Sequence, residues 1–256
     1  MNELEKTRYE LFFPSELNEA IARTPVAYIP AGSLEWHGEH LALGSDYLRG
    51  HEICLRAARL AGGVVLPPIY VAAAGFSAYH GSIVFSAKLV TDFTLELLRE
   101  LEKIGFQTAV IVLGHGGLVQ QEAFEKAADI YQQANQMRVL VVAPESLVEI
   151  PAEAGGHAGP HETAQALAAA AEAVDLGRFD PTATRLPRYE HLDGEPYKQG
   201  TSSAGSDDID RHMSAEEWSW QPRLPELVSP ESGEQWMSQA AEAVAGRVKQ
   251  ERDRLE

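Results

Sequence analysis

Thr108-Ala-Val-Ile-Val-Leu-Gly-His-Gly-Gly117 decides the fold. Its first six residues form a near-continuous apolar, β-branched run, the pattern of a strand covered on both faces. Gly114 and the Gly116-Gly117 pair break that run and leave His115 between them, at the end of the strand. Glycines there let the backbone turn sharply and keep an imidazole accessible. The segment from Val119 to Asn135 reads as the helix that follows.

Working outward, the same alternation recurs. Val26 to Pro30 is a strand ending in Ala-Gly-Ser. Asp46 to Leu60 carries apolar residues at helical spacing and closes at Gly62-Gly63. Val64 to Val71 is a second strand, with Pro67-Pro68 marking an edge or an end. Thr91 to Ile104 is an amphipathic helix stopped by Gly105, and Val139 to Ala143 is another buried strand. A glycine-rich loop, Gly155 to Gly159, leads into an alanine-rich helix from about Thr163 to Val174. Residues 180–228 are rich in Pro, Gly, Ser and Asp and read as long loops. A closing amphipathic helix lies within Ser229 to Glu256. Strands alternating with helices over short connections predict an α/β fold with a mainly parallel central sheet. No repeat or composition break divides residues 1–256, so a single domain is expected. Ligands of open α/β sheets bind beyond the carboxyl ends of the strands, where three of the loops lie.

Bulk properties narrow the function. The chain has 256 residues, 38 acidic against 21 basic, a net charge of −17, and 45% hydrophobic residues. That field repels phosphate backbones and anionic lipid heads, so neither nucleic acid nor a membrane surface is an expected partner. No apolar run approaches the ~20 residues that span a bilayer. The acidic N-terminus has no signal-peptide pattern. One cysteine, Cys54, excludes an intrachain disulfide and suits a reducing compartment, so a cytoplasmic location is expected.

Three clusters carry chemistry. Glu35 and His37 are two residues apart, and in an extended segment their side chains point the same way. Asp46 follows Gly44-Ser45 where a helix begins; its plainer reading is an N-cap. His115 sits in the glycine-flanked turn; its alternatives are an incidental histidine or a backbone phosphate nest, although no nucleotide motif accompanies it. The third cluster is His157-Ala-Gly-Pro-His-Glu162-Thr163. Glu162 falls in a first helical turn, where the helix dipole favours a carboxylate in any case. His157, in the preceding loop, is placed as a general acid or base. Two histidines and three carboxylates around one sheet edge, with no thiolate among them, suit zinc, manganese or iron. Of the other histidines, His40 and His161 could support these groups, His80 could line a pocket, and His51, His191 and His212 read as surface residues.

At these clusters the sequence resembles the creatininase family of metal-dependent amidohydrolases. Ile29-Pro-Ala-Gly-Ser-Leu-Glu-Trp-His-Gly-Glu-His-Leu-Ala-Leu-Gly-Ser-Asp46 is similar to that family's N-terminal signature. Gly114-His-Gly-Gly117 is similar to its Gly-His-Gly-Gly-Asn motif, and His157 to Thr163 to its His-Ala-Gly-x-x-Glu-Thr motif. The resemblance spans about residues 25–175. It implies a three-layer α/β/α sandwich, an amide-hydrolysing activity on a small molecule, and a pair of divalent ions. Glu35 and His115 would hold one ion, His37 the other, with Asp46 bridging and Glu162 completing the second position. His157 would assist proton transfer. The resemblance further implies an assembly of identical chains, often a hexamer. Members that hydrolyse creatinine carry a metal-binding Glu where Gly117 stands and a Trp near Glu153 and Ala154, which points to the Gly-His-Gly-Gly branch and away from creatinine. Leu118 replaces that branch's Asn, and Tyr79-His-Gly-Ser82 stands for its Phe-Pro-Gly-Thr segment. Two other readings remain at this point: a metal-dependent lyase or isomerase on the same site, and a non-catalytic binding or assembly protein.

Overall fold

The computed structural model describes residues 6–73, 81–179 and 223–254. In chain order its elements are α1 (Pro14–Arg23), β1 (Val26–Ala31), α2 (Ser45–Ala61), β2 (Val64–Val65), α3 (Ala87–Ile104), β3 (Thr108–Leu113), α4 (Leu118–Gln132), β4 (Arg138–Val142), α5 (Pro160–Ala169), α6 (Leu224–Leu227) and α7 (Pro230–Asp253).

The four strands form one sheet in the order β2-β1-β3-β4, and every pairing is parallel. Alternating residues sort onto its two faces, as the period of two requires. Ala27, Ile29, Ala31, Ala109, Ile111 and Leu113 pack under α1, α3 and α4. Val26, Tyr28, Val110 and Val112 pack under α2 and α7. The result is the expected α/β/α sandwich. On α7, Met237, Ala240, Ala241, Val244 and Val248 are buried at helical spacing, against Ala57, Ala58 and Ala61 of α2. Small residues on both helices let the two axes approach closely.

Several boundaries differ from the sequence reading. The second strand is two residues long instead of eight. Pro67 and Pro68 cannot donate to a ladder, so pairing beyond Val65 shrinks to an isolated bridge between Ile69 and Ala31. Pro30 is tolerated in β1 for a related reason. Its carbonyl accepts from Ile69 N, so its missing N–H faces the side where β2 has already left. The third helix begins one turn early, because Ser86 caps it by accepting from Leu89 N. The helix read as Thr163 to Val174 runs instead from Pro160 to Ala169, with Pro at its first position, and gives way to a 3₁₀ turn at Ala171–Ala173. Most of the loop region 180–228 lies outside the described residues, as do His80, His191 and His212; within it, residues 224–227 are helical. No described helix is long and apolar enough to cross a membrane.

The chain moves from β1 to β2 on one side and returns to β3 on the other. The carboxyl ends of β1 and β3 are therefore neighbours at a topological switch point, which is where an open sheet offers a crevice.

Candidate metal centre

All three chemical clusters meet at that crevice. The loop after β1 delivers Glu35 and His37, the first turn of α2 delivers Asp46, the turn after β3 delivers His115, and the first turn of α5 delivers Glu162. Gly114 makes the meeting possible: a Cβ there would lie 2.2 Å from the Asp46 carbonyl oxygen, so only glycine lets α2 settle on the end of β3. Ligand-type atoms converge within 4.8 Å of one another in three overlapping sets: Glu35, Asp46 and His115; His37, Asp46 and Glu162; and Glu35, His37 and His157.

Asp46 is central. Its Oδ2 accepts from Ser33 Oγ at 2.6 Å and lies 3.0 Å from His115 Nδ1, while its Oδ1 lies 3.0 Å from His37 Nε2. Gly44, not Asp46, is the N-cap of α2, and no side chain caps that end, so the capping alternative fails. Glu35 is fully buried, with Oε2 2.9 Å from His115 Nδ1. Residues 35–37 are not in a strand, yet both side chains enter the crevice. His37 Nδ1 is 3.0 Å from the Glu35 carbonyl oxygen, which can only accept; Nδ1 therefore carries the proton and Nε2 is the coordinating nitrogen. Although Nε2 is 3.0 Å from Asp46 and 3.8 Å from Glu162, it is buried and makes no well-aligned hydrogen bond. A buried imidazole nitrogen packed this closely against two carboxylates without a well-aligned hydrogen bond fits the requirements of a cation between them. The set of carboxylates and imidazoles suits a divalent ion of the zinc or manganese kind.

Glu162 sits at the third position of α5, with Oε2 accepting from Ala158 N at 2.6 Å and Oε1 accepting from Arg49 Nη2 at 2.9 Å. Ala158 holds a left-handed backbone, φ 54°, unusual for a residue with a Cβ. Its carbonyl accepts from Thr163 Oγ1 at 3.3 Å and lies 3.2 Å from His40 Nε2. His40 is thus a strut for this loop, as the sequence allowed. The other flanking histidine, His161, is buried with its ring edge-on to Trp236 at 5.2 Å. His157, half-buried, donates from Nε2 to the Trp36 carbonyl at 2.7 Å, and its ring lies 4.1 Å from that of His37. That bond leaves Nδ1 as the proton-accepting nitrogen of a neutral ring.

The protonation pattern follows from this packing. Burial alone would raise the Glu35 carboxyl, but the charge of His115 overrides it and holds the group at about 2. Asp46 and Glu162 are likewise held down against burial, by His37 and by Arg49 respectively. Burial would lower His37, yet the Asp46 carboxylate lifts it to about 9, and Glu35 lifts His115 in the same way. His157 goes the other way, lowered by burial and by the nearby His37. Without an ion, protons on two histidines do the neutralising. Metal uptake must displace them. Between pH 6 and 8 the carboxylates are already ionised, so affinity should rise with pH, by about tenfold per unit for each proton displaced. Calorimetric titration of the stripped protein in buffers of different ionisation enthalpy should detect those protons; a pH-independent affinity with none released would contradict this account.

Two partners of the centre escaped the sequence reading. Arg49 is 2% exposed and one helical turn beyond Asp46. Its Nη2 donates to Asp46 Oδ1 at 3.0 Å, to Glu162 Oε1 at 2.9 Å and to the Gly114 carbonyl at 2.9 Å. Its Nη1 donates to Gln165 Oε1 at 3.1 Å and to Glu145 Oε1 at 3.3 Å. Removing one partner of a buried ion pair costs about 3–5 kcal/mol, so Arg49 is a fixed part of the centre. The signal was available: α2 buries Asp46, Arg49, Gly50, Ile53, Cys54, Ala57 and Ala61, so an arginine lies on its inward stripe. Glu145, in the 3₁₀ turn Pro144–Ser146 after β4, had no such signal; burial, then Glu162, raises its carboxyl. Conversely, His51 is half-buried instead of on the surface. Cys54 is buried in the layer between sheet and α7, and burial pushes its thiol well up, consistent with a packing role. Leu118 is 66% exposed, so its side chain does not pack into the ligand set.

An all-parallel α/β sandwich whose switch-point crevice gathers carboxylates and imidazoles suits metal-dependent hydrolysis, and the family match makes the chain a metal-dependent amidohydrolase. The chain belongs to the creatininase family: the family profile described as creatinine amidohydrolase matches residues 14–248. Creatinine amidohydrolase of Pseudomonas putida is 26% identical over 195 residues, covering 67% of this chain and 75% of that protein. Among solved structures, a mutant creatininase of Zn-Zn type has a TM-score of 0.72 at 22% identity, over 96% of this chain and 98% of that one. A manganese creatininase has a TM-score of 0.71 at 22% identity, with the same coverage. A putative creatinine amidohydrolase from Bacteroides fragilis has a TM-score of 0.70 at 21% identity, over 97% of this chain and 96% of that one.

Proposed function

We propose that this chain hydrolyses a carbon–nitrogen amide bond in a small non-peptide molecule other than creatinine, at a two-ion centre. Glu35, Asp46 and His115 would hold one ion; His37, Asp46 and Glu162 would hold the other. The observation that carries this reading is Asp46, whose two oxygens address different histidines at 3.0 Å each, the arrangement of a bridging carboxylate. Bound ions would lower the pKa of water toward ~7 and polarise the substrate carbonyl. The remaining work falls to the protein. His157, neutral and oriented by the Trp36 carbonyl, accepts the proton of the attacking water and returns it to the leaving nitrogen. Ser33 and the Glu35 carbonyl fix Asp46 and His37, so that little reorganisation is needed during reaction.

Gly117 argues for a substrate other than creatinine. A Cβ at that position would lie 2.4 Å from His115 Nε2, so no carboxylate ligand can be carried there unless His115 moves, and Glu162 fills the role from α5. The test is a screen of cyclic amides, formamides and ureas with metal-loaded protein, a chelated control, and ¹⁸O-labelled water. Hydrolysis should place one labelled oxygen in the product. Turnover without incorporation would show a lyase or isomerase instead. No turnover of any amide by fully loaded protein would favour a non-catalytic role. An assembly of identical chains in the cytoplasm belongs to the same reading.

A further inference from the structure

We infer that Glu145 is a substrate-binding residue: its outward oxygen accepts a hydrogen bond from an N–H group that the substrate carries besides the amide being cut. This inference rests on the two-ion reading above and deepens it, because it names a second group that the substrate must bear. Glu145 stands in the 3₁₀ turn after β4, at the same edge of the sheet as the turn after β3 that delivers His115. Its two oxygens have different surroundings. Oε1 faces the protein: it accepts from Arg49 Nη1 at 3.3 Å and lies 3.9 Å from His161 Nδ1. Oε2 faces Gly116, and no described residue donates to it. Among the described atoms, a Cβ built on Gly116 would meet nothing within 4 Å but that oxygen, at 3.7 Å, and Gly116 itself is exposed. Beside the His115 turn there is thus open space with a bare carboxylate oxygen on its wall.

A purely structural role does not account for Glu145. Arg49 already has two carboxylate acceptors, Asp46 and Glu162, and two neutral ones, the Gly114 carbonyl and Gln165. Its contact with Glu145 is the longest of the five. Burial raises the Glu145 carboxyl in spite of Arg49, so its charge is poorly compensated. Yet the side chain is 39% exposed. Ligand clefts use a few such groups, desolvated but still reachable, to fix the orientation of what they bind. An ionised carboxylate can only accept, so the matching group is a donor, and an N–H against a carboxylate is among the stronger hydrogen bonds. The reach is also right. Arg49 holds Glu145 through one terminal nitrogen and holds Asp46 and Glu162 through the other, so the width of one guanidinium separates Glu145 from the proposed ligands. A chain of a few carbons spans that gap.

The test uses product-like chains whose carboxylate end suits the ions. Protein loaded with Zn²⁺, its ion content checked by elemental analysis, is titrated by calorimetry with butyrate, valerate and hexanoate. It is then titrated with β-alanine, γ-aminobutyrate and δ-aminovalerate, in which an ammonium replaces the end methyl group. Succinamate against isocaproate makes the same comparison for a neutral amide end. In at least one pair the N–H-ended chain should bind at least about tenfold tighter than its methyl-ended counterpart. Glu145→Gln should cut that gain to within about threefold, while the methyl-ended chains and the ion content stay within about twofold of wild type. Glutamine keeps the size, but its amide must turn its oxygen to Arg49 and so presents an NH₂ group where Oε2 stood. Should Glu145→Gln fail to fold, Glu145→Asp, which withdraws the oxygen by one methylene, takes its place with the same expectation. If Glu145 only braces Arg49, its substitution weakens all chains alike or releases ions, and either result overturns the inference. So does a gain that survives the substitution. Ion-loaded protein on which no N–H end improves binding, or to which no chain binds, sinks this inference and leaves the two-ion reading standing. Protein that holds no ion sinks both.

Discussion

Replacing Asp46 with asparagine should abolish activity and strip most of the bound metal. The substitution changes no volume, yet it removes the one charge shared by both positions. Asp46 lies within 3.0 Å of His37 Nε2 on one side and of His115 Nδ1 on the other. An amide offers one acceptor where the carboxylate offers two, so at least one of these histidines loses its counterpart. Ion content per chain should fall below about a tenth of the wild-type value, and turnover on a confirmed substrate by at least about 10³-fold, as expected when a metal-activated nucleophile is lost. Elemental analysis of the desalted protein checks the first figure and steady-state kinetics the second. Arg49 would also lose a charged acceptor, so the melting temperature should drop in the metal-free state, where no ion masks the change. Full retention of two ions by Asp46→Asn would remove the bridging role and leave Asp46 as the anchor of Arg49.

The fold and the candidate site were legible in the sequence to different depths, for different reasons. Strand β3 was plain because a strand buried on both faces has few ways to be written other than as a β-branched run, and Thr108–Leu113 is buried throughout. The five proposed ligands were legible because each stands soon after a strand or in the first turn of a helix, within a few residues of a glycine or proline such as Gly38, Gly44, Gly114 or Pro160. Length was harder to read. Nothing short of the fold shows that β2 stops at Val65, since the apolar run continues to Val71 and only the paired prolines end the ladder. Glu145 illustrates what remains hidden. An acidic residue after a proline resembles any solvated turn, and it enters the centre only because β4 lies next to β3. Arg49 falls between these cases. Its place on the inward stripe of α2 could have been read, but apart from Asp46 its partners come from residues 65 to 116 positions further along the chain, and that distance is visible only after folding.

His157→Ala should leave the metal in place and remove most of the turnover. In the structure this histidine has attachments that do not depend on coordination, among them the bond from its Nε2 to the Trp36 carbonyl and the packing of its ring against His37. Losing them exposes one face of His37 but takes no carboxylate from the centre, so the ion content should stay within about twofold of wild type while turnover falls by about 10²–10⁴-fold, the usual worth of a positioned general acid–base group. The pH profile adds a sharper criterion. Burial and the neighbouring His37 hold His157 below the ordinary histidine value, and bound cations act in the same direction. It is therefore neutral at neutral pH and able to take a proton, and it loses that ability as the pH falls through its depressed pKa. Wild-type kcat should accordingly decline on the acid side with a limb below about 6.5, and that limb should vanish in His157→Ala even though the ions remain. A variant that keeps the acid limb would assign it to metal loss instead, because falling pH also favours the return of protons to His37 and His115 and so the release of the ions. Measuring ion content at each pH separates the two: activity lost with the ions still bound belongs to His157, and activity lost in step with ion release belongs to the centre itself.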